Sequence, residues 1–367
     1  MLRLDISDII YFYMFICVAL LVFNILYIWS ANGKKRIMER RRKKWKKEVE
    51  EAVACCKEEK EIPKKHQVRL ERKLRNINQL IAFNQAIQPD LEEKDVQHYL
   101  DLNHDTFQTL AVVYAEKSAM EKAFFAYIIS IYHPDKGREH DQLAETLLDF
   151  TDNSTIYCRE NVLLALCAMG NAGAIERFFQ LLNDNGLYHN PKLLADGLLT
   201  FEGDREKLAM QLFEKSKYYN ETLQVAIVQF ATRLSEAFCK VFLKALQDEM
   251  TPLEVKFTLI RYFQRFYYEE ALPILLEYVK NDEEENGGLA IPSCAALARY
   301  PGDGTVEILK SALCSRNWYV RKNASLSIIS LGVEEDVLTE LRRSQDRYAS
   351  EMLGYMMELK TQKEVKK

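Results

Sequence analysis

The sequence is poor in the residues that break regular secondary structure. It has 13 glycines and 8 prolines among 367 residues, and both shares lie well below the average of soluble proteins. This composition excludes collagen-like, low-complexity and turn-rich all-β classes. Leu, Ala, Glu and Lys are frequent instead, so we expect an all-α protein with ample material for a core.

The sequence also lacks the motifs of common enzyme classes. It contains no Gly-rich phosphate loop, no GxSxG and no HExxH. Its eight cysteines form no CxxC pair and have no histidine at zinc spacing, which favours buried thiols in a reducing compartment. We therefore predict a protein that is not an enzyme, with no catalytic residue, no metal and no cofactor.

One histidine-rich stretch, YHPDKGREH at 132–140, leaves alternatives open. Its His-Pro-Asp matches the loop of J-domain co-chaperones, but the preceding residues 123–132 carry none of the charge that a J-domain needs there. Proline after an apolar helix is also an ordinary helix stop. We interpret the stretch as a turn, with a J-domain or a metal site at His133, Asp135 and His140 as weaker alternatives.

An uncharged apolar run occupies residues 9–29. It has 21 residues with Asn24 as its one amide, and a helix of this length spans about 31 Å, close to the hydrocarbon thickness of a bilayer. Aromatic residues near both ends are placed like interfacial belts. We predict a transmembrane helix, and the cations that follow the run are typical of an anchor rather than a signal peptide.

A strongly basic segment follows at residues 33–47. It contains ten Lys or Arg and one Glu, while the whole chain has a net charge of −4, so the body beyond it is acidic. Because Lys and Arg mark cytoplasmic flanks, we predict a single-pass cell-membrane protein with its N-terminus outside and its C-terminal domain cytoplasmic. The segment acts as a topology signal and, alternatively, also binds anionic headgroups. The cations expected at the membrane surface are Lys34, Lys35, Arg36, Arg40, Arg41, Arg42, Lys43 and Lys44.

Apolar residues continue on one helical face beyond the basic segment. They are Met38, Trp45, Val49, Ala52 and Cys56. This spacing predicts that the membrane helix extends as a stalk through residues 30–62. The face is too short to indicate a coiled coil, and a dimer formed through two stalks stays an alternative.

An internal repeat fills residues 140–360. An apolar residue ends a predicted helix every 31–34 residues, at Met169, Phe201, Leu234, Phe266, Tyr300 and Leu331. The side chain three residues before the end position is apolar in all six repeats. The side chain seven residues before it is apolar in five of the six, and so is the one eleven residues before it. These steps place the side chains on one helical stripe. Glycines follow four end positions and are expected to end helices in the left-handed conformation: Gly170, Gly203, Gly302 and Gly332.

A second apolar run follows each end position, so each repeat has two helices. Neither helix can bury its stripe alone, and stacking of neighbouring repeats removes both from water. We therefore predict an α-solenoid, with atypical capping helices at 64–139 because terminal repeats must face solvent. The predicted order along the chain is a short N-terminus at 1–8, the membrane helix at 9–29, the basic segment and stalk at 30–62, the capping helices at 64–139, the repeats at 140–360 and a Lys-rich tail at 361–367.

Two segments carry the repeat most clearly, CRENVLLALCAMG at 158–170 and VRKNASLSIISLG at 320–332. They resemble the HEAT repeat, in particular the short bacterial form related to phycobilisome-lyase repeats, whose second helix opens with Val-Arg-x-x-Ala and closes with Leu-Gly. The resemblance covers about residues 140–355. The arginine is kept at Arg159 and Arg321, replaced at Gln224 and Lys256, and lost at Pro191 and Ala290.

The resemblance implies a scaffold that docks a protein partner. Membrane-tethered proteins of this kind in bacteria imply an adaptor of a cell-envelope complex, such as one containing a membrane glycosyltransferase. The same resemblance implies, as an alternative, a lyase-type enzyme that acts on a tetrapyrrole. A third interpretation is an obligate subunit of a membrane complex, held through Asn24. Nucleic acid does not suit the acidic body.

Arginine precedes the end position in three successive repeats, at Arg233, Arg265 and Arg299. Stacked repeats would align these residues as a ladder. Other residues close to it in the sequence are Arg261, Tyr262 and Tyr267. A basic and aromatic strip of this kind suits a carboxylate-rich or phosphorylated partner. The alternative is that the arginines only complement helix dipoles and cap carbonyls.

Overall fold

A computed structural model describes residues 6–58, 62, 64–87, 93–132, 142–152, 154–281, 287–343 and 346–365. All regular structure in these ranges is helical, which confirms the all-α class. The chain divides into two compact units, Met1–Asn171 and Ala172–Lys367.

The first unit contains eight helices within its described ranges. They are α1 (Ile6–Glu58), α2 (Lys64–Leu74), α3 (Ile77–Ile87), α4 (Glu93–Asp101), α5 (His104–Ala115), α6 (Ala119–Tyr132), α7 (Gln142–Asp149) and α8 (Ile156–Ala168).

Helix α1 joins the apolar run to the predicted stalk without interruption. It contains the one segment of the described residues that is long and apolar enough to cross a membrane, and that segment is exposed. Further along, Trp45, Val49 and Val53 are buried, because this face packs on α3. The apolar face of the stalk is therefore covered within the chain.

The second unit contains α9 (Ala172–Asp184), α10 (Pro191–Leu198), α11 (Arg205–Ser216), α12 (Glu221–Thr232), α13 (Cys239–Gln247), α14 (Leu253–Arg265), α15 (Leu272–Lys280), α16 (Ala290–Ala296), α17 (Asp303–Ala312), α18 (Trp318–Ser330), α19 (Glu335–Arg342) and α20 (Arg347–Val365). Short 3₁₀ helices lie at Glu269–Ala271, Gly287–Leu289 and Leu297–Arg299.

Alternate helices of this unit contact one another in succession, from α10 through α12, α14, α16 and α18 to α20. Hydrogen bonds fix their direction: Asn323 Nδ2 donates to the Ile291 carbonyl at 2.8 Å, and Ser327 Oγ donates to the Cys294 carbonyl at 2.6 Å. Both bonds join residues one repeat apart and advance in the same direction. Helices α16 and α18 are therefore parallel and offset by one repeat.

The predicted stripe is buried. The residues three before each end position are all buried, as are those seven before it: Leu166, Leu198, Ala231, Phe263, Leu297, Ile328, Val162, Leu194, Ile227, Leu259, Ser293 and Ala324. Asn190 interrupts the row eleven before, and it is exposed because its side chain accepts hydrogen bonds from the Lys192 and Leu193 amides at the start of α10.

The glycine prediction is confirmed at Gly170 and Gly332 and wrong at Gly203 and Gly302. Gly170 and Gly332 end α8 and α18 with φ of 67° and 70°, whereas Gly302 has φ of 155° and precedes α17. Gly203 does not have a positive φ. A Cβ there would come within 2.6 Å of the Phe201 ring, so the position needs glycine for close approach instead.

Candidate functional site

The arginine shared by the two most similar repeats contacts its own chain. Arg159 Nη1 donates to the Ser154 carbonyl at 2.7 Å, and Arg321 Nη1 donates to the Ser315 carbonyl at 2.6 Å. Gln224, which replaces the arginine in another repeat, donates to the Tyr219 carbonyl at 2.8 Å. The three side chains tie a helix to the loop before it, so this position stabilises the repeat.

The arginine ladder, Arg233, Arg265 and Arg299, lies at the C-terminal ends of successive parallel helices. Arg233 follows the last residue of α12, Arg265 ends α14, and Arg299 ends the 3₁₀ helix after α16. Arg233 forms an ion pair with Asp196 of α10. Arg265 and Arg299 are exposed, so the ladder presents two of its three cations to solvent.

Tyr262 does not belong to this exposed strip. Its ring is fully buried and packs on Phe242 with ring centroids 4.7 Å apart. Its hydroxyl donates to the Ser235 carbonyl at 3.0 Å and accepts from the Phe238 amide at 3.2 Å. Burial raises the pKa of Tyr262 far above its ordinary value. The prediction that Tyr262 contacts a partner is therefore wrong for this conformation.

Tyr267 is the exposed aromatic residue of the strip. Half of its surface faces solvent, and its ring centroid lies 5.0 Å from that of buried Tyr300. The Tyr300 hydroxyl donates to the Phe263 carbonyl at 3.3 Å, which holds that ring in place. We call the exposed set Arg261, Arg265, Tyr267 and Arg299 the arginine edge.

Carboxylates limit the positive charge of the arginine edge. Glu269 and Glu270 are exposed in the short helix that follows Tyr268. Three cations and two nearby carboxylates give the strip a small net positive charge.

The N-terminal ends of four helices of the second unit expose large apolar or aromatic side chains. Tyr188, Tyr218, Met250, Trp318 and Tyr319 are exposed just before or at the starts of α10, α12, α14 and α18. The starts of α12 and α14 are adjacent, since the Glu254 amide donates to Glu221 Oε1 at 3.1 Å. These residues lie twelve to sixteen residues before the end position of their repeat. This recurring spacing is the sequence pattern that indicates these exposed side chains.

The cations predicted at the membrane surface all lie on α1. Arg41 is half-buried, and the other seven are exposed. Some of them line a basic groove of about 320 Å³ between α1 and α2–α3, which we define by six residues: Arg40, Arg41, Lys44, Trp45, Glu48 and Lys73.

Within the described ranges, no group of three His, Cys, Asp or Glu side chains is arranged to hold a metal ion. The alternative site at His133, Asp135 and His140 lies outside those ranges. Of the cysteines, Cys158, Cys167, Cys239 and Cys294 are buried. Burial raises the pKa of Cys158 to about 11, so this thiol is a packing residue at neutral pH.

Comparison of the chain with protein-family models, with curated proteins and with solved structures gives no match.

Proposed function

We propose that the protein is a membrane-anchored scaffold whose HEAT-like repeats form an α-solenoid and dock an acidic segment of a partner protein on the arginine edge. The observation that carries the proposal is the difference between the arginines. Arg159 and Arg321 donate hydrogen bonds to backbone carbonyls, and Arg233 forms an ion pair with Asp196. Arg265 and Arg299 of the arginine edge are instead exposed to solvent. Arg265 contacts the Phe266 ring, 5.5 Å from its centre, but the charges of Arg265 and Arg299 form no ion pair within the described residues, so both are available to a partner.

The solenoid part of the proposal rests on repeat-to-repeat packing in the second unit. Hydrogen bonds across its helices join residues 32 or 33 apart, such as Tyr278 Oη to the Leu246 carbonyl and Ser327 Oγ to the Cys294 carbonyl. Contacts confined to neighbouring repeats are the defining property of solenoids. The extended concave surface of such a stack is the one that these proteins use for binding.

The anchor part rests on the exposed apolar segment of α1 and the cations that follow it. We propose a single span with the repeats in the cytoplasm, as the distribution of Lys and Arg favours. An accessibility assay with a membrane-impermeant thiol reagent tests this topology on intact cells. A cysteine introduced at Ser7 should be labelled, and the exposed native Cys314 should not be.

Docking is tested by cross-linked capture of partners with the full chain and with Arg261, Arg265 and Arg299 each changed to Glu. We leave Arg233 unchanged because its loss would leave Asp196 without its ion pair. A matched control changes the exposed cations Lys192, Lys240 and Lys244 of the same unit to Glu. The partner should be lost with the arginine variant and kept with the lysine variant, and an unchanged partner set in both would refute the proposal.

A partner in an envelope complex, such as a membrane glycosyltransferase, fits a scaffold held at the membrane. An anchored scaffold and an anchored partner meet in two dimensions, which raises their effective concentration. Removing the apolar segment of α1 up to Trp29, while keeping the buried residues that pack on α3, should therefore weaken capture of a membrane partner more than capture of a soluble one. Equal capture with and without this segment would point to a soluble partner.

A further inference from the structure

The basic groove has unusually little internal charge compensation. Its carboxylate, Glu48, is already engaged by Lys73 Nζ at 2.6 Å and by Arg69 Nε at 3.3 Å. No acidic side chain of the described residues forms an ion pair with Arg40, Arg41 or Lys44. Arg40, Arg41 and Lys44 therefore line a groove whose one lining carboxylate, Glu48, is already paired with Lys73 and Arg69.

The floor of the groove is fixed. Trp45 is buried, its Nε1 donates to Gln79 Oε1 at 3.0 Å, and its ring centroid lies 5.2 Å from that of Phe83. The Lys73 ammonium lies 4.7 Å from the centre of the Trp45 ring. Because α1, α2 and α3 are tied together here, the cations need little rearrangement to meet a ligand.

The groove also lies at a defined height above the apolar segment. Arg40 is eleven residues beyond Trp29 on the same helix, a rise of about 16 Å. Side chains of a helix lean toward its N-terminus, so Arg40 and Arg41 lean back toward the apolar segment. The guanidinium groups of Arg40 and Arg41 therefore point toward a group that projects from the headgroup layer.

We propose that the basic groove binds a phosphate group, carried either by a lipid headgroup that projects from the bilayer or by a soluble phosphate compound. Arginine guanidinium groups match phosphate oxygens with paired N–H donors. Arg40 and Arg41 supply these donors, and Lys44 and Lys73 add positive charge. The lipid source rests on the proposed function, since it requires α1 to be anchored in a bilayer, whereas the soluble source does not.

The test uses the full chain in micelles of an uncharged detergent. Binding is titrated with three probes: dioctanoyl phosphatidic acid, inorganic phosphate and dioctanoyl phosphatidylcholine, which has no net charge. The proposal expects saturable binding of phosphatidic acid and negligible binding of phosphatidylcholine. Competition by inorganic phosphate identifies the shared phosphate chemistry, and its failure to compete assigns the site to the lipid source.

Two matched variants separate a built site from diffuse attraction to the basic segment. The groove variant changes Arg40, Arg41 and Lys44 to Ala. The control changes Arg36, Arg42 and Lys43 to Ala, which also removes two Arg and one Lys from the exposed surface of α1. The groove variant should raise the Kd at least about tenfold more than the control, which corresponds to the loss of directed contacts.

Equal loss of binding in both variants would show diffuse attraction and overturn the proposal, as would absence of binding to the wild-type chain. Circular dichroism checks that each variant keeps its helices. Should the triple groove variant unfold, Arg41→Gln replaces it, with Arg42→Gln as its control. Loss of the proposed partner-docking function leaves these titrations unaffected, because the variants and probes differ from those that test the arginine edge.

Discussion

Arg321 and Ser315 are joined across the loop that begins α18, where Arg321 Nη1 donates to the Ser315 carbonyl at 2.6 Å. A second bond from the same nitrogen reaches the Arg316 carbonyl at 3.0 Å. Gln224 makes the corresponding contact in another repeat. Three of the six repeats therefore use a side-chain donor at this position, and both arginine and glutamine supply it.

Arg321→Ala should destabilise the fold by about 1–3 kcal/mol, because it removes the charged donor of the hydrogen bonds to the Ser315 and Arg316 carbonyls. Arg321→Gln should lose less, since the amide of Gln224 makes this contact in its own repeat. Thermal unfolding of the detergent-solubilised chain measures both. Lys240→Ala, at an exposed position, serves as the control, and an Ala variant as stable as this control would contradict the prediction.

Gly203→Ala and Gly304→Ala should act in opposite directions. A methyl group at Gly203 meets the ring of Phe201, whereas a methyl group at Gly304 meets nothing within 4 Å. We expect Gly203→Ala to destabilise by about 1–3 kcal/mol through overpacking. Gly304→Ala, inside α17, should be neutral or stabilising by up to about 1 kcal/mol. Comparison of the two unfolding midpoints checks this, and equal shifts would contradict it.

Stability should fall at alkaline pH because buried tyrosines must ionise when the chain unfolds. Burial raises the pKa of Tyr300 to about 12, while an unfolded tyrosine has a pKa of about 10. Above pH 10 the unfolded chain therefore holds fewer protons than the folded chain, so the free energy of unfolding decreases as pH rises from about 10 to 12. Below pH 10 this group makes no pH-dependent contribution.

Denaturant midpoints measured between pH 9 and pH 11 (roughly the range bracketing the unfolded pKa) test this expectation. Tyr300→Phe should make the alkaline decline shallower, although it also removes the hydrogen bond to the Phe263 carbonyl and so lowers stability at every pH. Tyr218→Phe is the matched control, since Tyr218 is exposed and should leave the slope unchanged. Identical slopes in all three proteins would argue against buried ionisation.

Thiol alkylation should distinguish the cysteines by burial. Cys314 is exposed, whereas Cys158, Cys167 and Cys294 are buried. Iodoacetamide should modify Cys314 faster than these three buried thiols in the native chain. Partial desolvation and Asp346 raise the pKa of Cys314, so its reactive thiolate fraction, and with it the rate, should increase as pH rises. Peptide mass spectrometry assigns the sites, and unfolded protein gives the reference. Native labelling of Cys158 at the rate of Cys314 would contradict the packing described for α8.

The sequence predicted the buried stripe because helical spacing of apolar residues is local information. Leu297 and Ile328 could be placed in the core from their distance to an end position alone. Tyr262 could not, because its neighbour Phe263 occupies the stripe and the burial of Tyr262 depends on Phe242 of another helix. A residue type that suits both core and surface is assigned only by its three-dimensional neighbours.

Contacts between residues far apart in the chain could not be predicted from the sequence either. Arg233 meets Asp196 across 37 residues, which requires the register between two repeats. The apolar face of the stalk was recognised, but the identity of α3 as its cover was not, since nothing local to Trp45 points to Phe83. The basic groove was missed for the same reason, because Lys73 and Glu48 approach each other only after α1 and α2 pack.

The uninterrupted course of α1 has a mechanical consequence for a chain anchored as proposed. Only sixteen residues separate Trp29 from buried Trp45 on one helix, a rigid arm of about 24 Å. No break in α1 separates the apolar segment from the residues that pack on α3. A change in the tilt of the anchored segment is therefore carried directly to Trp45 and to α3, with no hinge between them.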